Sequence, residues 1–167
     1  MVIEWSCLSN VKQLALGAIM YANDYDNKWP TPEKWMDLTQ PYVKTESVYH
    51  DIVGVQPGEY GYAFRESAWV SEAKSFDGLE RFALLFDSDL KGRNAHSELW
   101  SLPSRGRHGV EANMGSDNVA FADGHAKSFL ATPNAADGRS NLHNLLMDND
   151  RLTKQEAPTP KGKPKVR

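Results

Sequence analysis

The stretch SCLSNVKQLALGAIMYANDYDNKWP, residues 6–30, decides the fold. Within it Leu8, Val11, Ala15, Ala18 and Ala22 recur at helical spacing, and Leu14, Ile19 and Tyr21 widen the apolar stripe. This pattern predicts an amphipathic helix over residues 5–26. The polar run Asn23, Asp24, Asp26, Asn27 and then Pro30 ends it. Small residues at Ala15, Gly17, Ala18 and Ala22 let such a helix lie close against a sheet.

That sheet announces itself most clearly at the other end of the chain, in NVAFADGHAKSF, residues 118–129. Asn118–Ala122 and His125–Phe129 read as two short strands joined through Asp123-Gly124. Asp-Gly is a strong hairpin signal, because glycine reaches positive φ without a Cβ clash and aspartate bonds back to the turn. Tyr60–Phe64 and the apolar run Phe82–Phe86 supply further strands, the second ending in Asp87 and Asp89. Tyr42–Val43 and Val48–Val53 suit strands or buried loops. A second helix is expected around Glu33–Thr39, with Pro32 in its first turn and Pro41 stopping it. Residues 65–80 read as a loop holding one helical turn, and Leu142–Met147 as one more helix. The expected architecture is α+β: an N-terminal helix packed on an antiparallel sheet with long loops.

Length and composition fit one domain. At 167 residues, 40% hydrophobic and 25% charged, the chain suits a single globular head over residues 1–152. Residues 153–167 carry Lys154, Lys161, Lys163, Lys165 and Arg167 against Glu156. That basic tail, rich in Pro, Lys and Gly, is expected to be loosely held. It contributes +4 to a net charge of -3, leaving -7 on the head. A head of that sign has no basic face for nucleic acid. No apolar run is long enough to span a bilayer.

Chemistry is sparse. Cys7 is the only cysteine, which excludes an intramolecular disulfide and a thiolate cluster for zinc; it reads as a small core or surface residue. Ser97, Ser101 and Ser104 lie near His96 and His108 but form no GxSxG elbow, and read as solvated loop serines. Gly106, Gly109 and Gly115 do not sit between a strand and a helix as a phosphate loop requires. His108 and His125, with Asp123, Asp87 and Asp89, invite a metal-dependent hydrolase reading, but no helix places two of them on one face. The expectation is no enzyme. A structural role suits the motif better, with Arg107 and His108 hydrogen-bonding Asp123 and fixing the loop against the sheet. Lys91–Ser116, rich in Gly, Arg, Asn, Ser and His, reads as an exposed loop. Residues 91–117 therefore offer an alternative, an extracellular module binding carbohydrate or peptide. Trp69 and Trp100 are candidates for a subunit contact.

Three features follow one another: the helix at 6–30, Arg107–His108, and the FADGHAK hairpin with Asp123, Gly124 and His125. In this order they resemble a bacterial family of prepilin-type proteins marked by a C-terminal His and a later Asp-Gly (H-X9-DG), themselves similar to the major, G-type pseudopilins of type II secretion. The resemblance covers roughly residues 6–130. It implies a pilin-like fold and a non-enzymatic filament subunit of a type II secretion or type IV pilus-like apparatus. Its partners would be other pseudopilin subunits. The full-length protein would sit on the periplasmic side of the inner membrane or at the cell surface, touching the membrane only through an N-terminal helix. Only Met1–Trp5 precede Ser6, so that anchor is expected to be missing from this chain. The spacing from His108 to Asp123 is longer than the family's, as if GVEANMGSD were inserted. Asp51 stands after His50 where relatives often have a cysteine.

No cofactor is firmly implied. Some related heads hold calcium in a C-terminal loop, and hard oxygen ligands are what such an ion needs. Asp87, Asp89, Asp117 and Asp123 are the candidate ligands here, with Asp148 and Asp150 in reserve.

Overall fold

A computed structural model describes residues 2–70, 73, 78–111, 114–133 and 138–147, with the side chains of 2–5, 110, 111 and 114 outside the description. The expected basic tail at 153–167, and Asp148 and Asp150, lie outside the described residues. Among those residues no helix is long and apolar enough to cross a membrane.

Helix α1 spans Val2–Asp24, close to the expected range. Its stripe Cys7, Val11, Leu14, Ala15, Ala18 and Ala22 is fully buried, with Leu8 and Ile19 packed at its margin. Asp26 and Asn27 end it by entering the left-handed region at φ 54° and 60°, and the Asn27 N–H reaches the Ala22 carbonyl at 2.8 Å. Gly17 faces Val43 and Thr39 of the next helix rather than the sheet. That helix, α2 (Trp35–Val43), follows a 3-10 turn at Pro32–Lys34 and runs through Pro41. Proline removes one N–H but does not stop this helix. Its end comes at Lys44, left-handed at φ 69°, whose N–H caps the Gln40 carbonyl.

The sheet has six strands: β1 (Tyr62–Arg65), β2 (Ala83–Asp87), β3 (His96–Ser97), β4 (His108–Glu111), β5 (Met114–Phe121) and β6 (Ala126–Ala131). All neighbours are antiparallel except β1 and β3, which run parallel. The β5–β6 hairpin turns at Asp123-Gly124 as expected, with Gly124 at φ 90°. Tyr42–Val43 and Val48–Val53 form no strand. The first ends α2, and Glu46–Tyr49 is a 3-10 turn that drops Val48 and Tyr49 into the core. Burial accounts for Val48 and Tyr49, whereas Ile52 is exposed.

Side chains alternate across the pleat and build two cores. Tyr62, Phe64 and Ala120 face α1, α2 and Tyr49, while Ala63, Val119 and Phe121 face Leu99, Leu102, Leu142 and Leu146. The second core is closed by residues 95–102 and by a helix over residues 141–147. The segment Lys91–Ser116 is therefore not an exposed loop. It carries β3, β4 and the start of β5, and Ser97, Leu99, Ser101, Leu102 and His108 within it are buried.

Candidate functional site

Strand β5 is longer than its neighbours, and this shapes the polar centre of the molecule. Along one edge it pairs with β6 over Gly115–Ala120. The other edge is shared: β2 takes Val119–Phe121, and β4 takes Met114 and Ser116. Between them, where β2 and β4 part, Asp117 and Asn118 have no strand partner. A buried backbone N–H without an acceptor is costly, so side chains fill the gap. The Asn118 N–H donates to Asp87 Oδ2 at 2.6 Å, and the Arg107 N–H donates to Asp117 Oδ1 at 3.0 Å.

Around this split the chain buries Asp51, Asp87, Asp117, His108 and Cys7. Arg107 ties the group together. Its Nη1 donates to Asp51 Oδ2 at 3.2 Å and to the Gly61 carbonyl at 2.7 Å, and its Nη2 donates to the Ser88 carbonyl. His108 Nε2 sits 3.0 Å from Asp87 Oδ2 and 3.5 Å from Asp51 Oδ2, yet its N–H is aimed squarely at neither. Asp51 also accepts from the Val53 N–H at 3.0 Å and from Cys7 Sγ at 3.1 Å. One hub thus holds α1, the loop before β1, the ends of β2 and the start of β4.

Electrostatics follow from that geometry. Burial and the nearby Asp87 push the Asp117 carboxyl up to about 8, so it is protonated at neutral pH. Burial pulls His108 down, but Asp51 and Asp87 outweigh it and raise the imidazole to about 10. Burial acts against Asp51 too, yet His108, the Val53 N–H and Cys7 hold its carboxyl below the usual range. Burial raises Asp87, and it raises the Cys7 thiol, with help from Asp51, to about 12. Whichever of His108 and Asp87 carries their shared proton, Asp51 and Arg107 cancel and the hub is neutral.

Arg107 and His108 thus meet Asp51, Asp87 and Asp117 rather than the expected Asp123. Asp123 lies in the hairpin turn, where its Oδ1 accepts from the N–H and Nδ1 of His125, at 3.0 and 2.6 Å. Its own neighbour two residues on satisfies it first. The four aspartates proposed for calcium are not brought together either. Asp87 and Asp117 are in the hub, Asp89 is exposed at its rim 3.7 Å from Arg107, and Asp123 and Gly124 sit at the turn beneath α1. Of the serines read as solvated, Ser97 and Ser101 join Ser88 in a buried hydroxyl chain: Ser97 to Ser101 at 2.6 Å, and Ser101 to Ser88 at 2.7 Å.

Two functional residues escaped the sequence reading. Asp51 is the shared acceptor of the hub, and Arg65 is a second buried guanidinium, bonded to Glu98 at 3.0 Å and stacked over Phe82 at 4.4 Å. Cys7 falling on the buried stripe with Val11, Leu14 and Ala18 was the available signal that the helix carries something polar inward.

Comparison of the chain with protein families, with curated proteins and with solved structures finds no match. What can be stated as a class is a mixed α+β domain with an N-terminal helix on a mostly antiparallel sheet.

Proposed function

We propose that this domain is the head of a pseudopilin-like filament subunit and that it has a structural rather than a catalytic role. The observation that carries the reading is the placement of α1. It is the chain's first element, it lies across β2, β5 and β6, and it buries an unbroken stripe from Cys7 to Ala22. A helix held so firmly along its C-terminal two thirds is suited to continue into a fibre and to transmit load from fibre to head. The polar centre supports the same view. Arg107 is spent on closing a split in the sheet, and its partners are buried carboxylates and carbonyls rather than a cleft. Other copies of such subunits would be the partners, on the outer side of the inner membrane.

The test is the N-terminus of the protein isolated from its native cells. A processed prepilin-type end followed by an apolar segment ahead of Val2, on a protein that co-sediments with filaments, is the expected result. A cytoplasmic protein with no apolar segment ahead of the helix would overturn the reading.

A further inference from the structure

The hub holds a donor set that its ion pairs do not explain. Cys7 Sγ, one oxygen of Asp51 and one ring nitrogen of His108 all lie within 4.8 Å of one another, and all three residues are buried. Among the described residues neither nitrogen of His108 has an aligned hydrogen bond, although Nε2 lies 3.0 Å from Asp87 Oδ2, and Asp87 Oδ1 has no hydrogen-bond partner; both residues are at least 98% buried. Unpartnered polar atoms in such a place are rare and call for an explanation. We propose that Cys7, Asp51 and His108 form a zinc site. This proposal does not rest on the filament reading.

The donor chemistry selects the ion. Thiolate, imidazole and carboxylate together suit zinc, a borderline ion that accepts all three, and do not suit calcium or magnesium, which take oxygen. A tetrahedron with zinc's usual bond lengths has edges of about 3.4–3.6 Å. The three donors lie near that spacing, with both Asp51 oxygens taking part: Cys7 Sγ is 3.1 Å from Asp51 Oδ1, and His108 Nε2 is 3.5 Å from Asp51 Oδ2. Arg107, at 3.2 Å from Asp51 Oδ2, would orient that carboxylate from behind.

Charge balances as well. Binding forms the metal–sulfur and metal–nitrogen bonds as the Cys7 thiol and the His108 imidazolium each release a proton to solvent. One dication replaces two protons, so the buried hub stays as neutral with the ion as without it. A cavity of about 420 Å³, lined by His50, Asp51, Ile52, Val55 and residues 56–59, lies beside Asp51.

The experiment is titration of the EDTA-treated protein with Co²⁺, a spectroscopic stand-in for Zn²⁺. Binding of one ion with tetrahedral visible bands and a thiolate-to-cobalt charge-transfer band is expected, and Zn²⁺ should displace it. Cys7→Ala removes only the thiol and should fold. It should lose the charge-transfer band and the rise in Tm that Zn²⁺ gives the parent. His108→Gln should weaken binding at least tenfold. No cobalt spectrum together with no Tm response to Zn²⁺ overturns the site. So does a Zn²⁺ response of equal size in Cys7→Ala, which would place the ion elsewhere.

Discussion

Arg107 Nη1 and Asp51 Oδ2 meet at 3.2 Å although 56 residues separate them, and their side chains are 5% and 0% exposed. Such a pair contributes little net stability against an apolar replacement of both partners, but removing one leaves a charge stranded in the core. Arg107→Ala would strand Asp51 and also free the carbonyls of Gly61 and Ser88. The expected loss is about 3–5 kcal/mol. Arg107→Lys should recover less than half of it, since an ammonium cannot serve three acceptors from one plane. Urea denaturation of the two variants measures both numbers, and a loss under about 1 kcal/mol for Arg107→Ala would mean the hub does not hold the fold.

Gly61 is where the guanidinium passes under β1. A Cβ built there would collide with the Asp51 side chain and lie 2.5 Å from Arg107 Nη1. Gly61→Ala must therefore push the hub apart, at an expected cost of about 1–3 kcal/mol. The change is visible by melting temperature, and Arg107→Ala should remove part of its cost, leaving the contact with Asp51. Additive losses in the double variant would show that the two positions are not coupled.

The hairpin turn gives an independent check. Gly124 has φ 90°, and a Cβ there would lie 2.9 Å from Leu16 and 3.3 Å from Ile19 of α1. Gly124→Val combines a disfavoured backbone conformation with a clash against the helix, and about 1–3 kcal/mol should be lost. An unaltered melting temperature would contradict both the turn and its seat beneath α1.

The elements that were legible in the sequence are those written in local periodicity. The stripe from Leu8 to Ala22 and the Asp-Gly between two apolar runs each settle a conformation within a few residues. The hub was not legible, because its contacts join positions 7, 51, 87, 107 and 117, which no local pattern relates. Arg107 and His108 stood out by composition, but their partner was misassigned to Asp123, whose need His125 already meets two residues away. The segment around them read as an exposed loop because Gly, Arg, Asn, Ser and His dominate it, yet its Ala95, Leu99 and Leu102 are buried beneath the sheet.

Thiol reactivity follows from the burial of Cys7. Its side chain is fully covered, and the thiol is raised to about 12 by burial and by Asp51. The thiolate is the reactive form, so native protein should label with iodoacetamide far more slowly than unfolded protein at pH 8. Equal rates would show that α1 is not seated on the hub in solution.

The pH dependence of stability separates Asp117 from its neighbours. In the fold its carboxyl titrates at about 8 against an ordinary 3.8, so between those values the folded state holds a proton that the unfolded state has lost. Stability then falls as pH rises from about 4 to about 8, and levels off above. His108, raised from 6.5 to about 10, adds a loss of the same sign that begins near 6.5. Asp117→Asn keeps an acceptor for the Arg107 N–H and cannot ionise. In the metal-free protein it should match the parent near pH 4 and exceed it at pH 8, with its remaining decline owed to His108 and Asp87. Urea midpoints taken every half unit from pH 4 to 10 would show this. Parallel curves for the two proteins would mean that Asp117 is ionised in the fold, leaving the hub with an excess negative charge that the present arrangement does not balance.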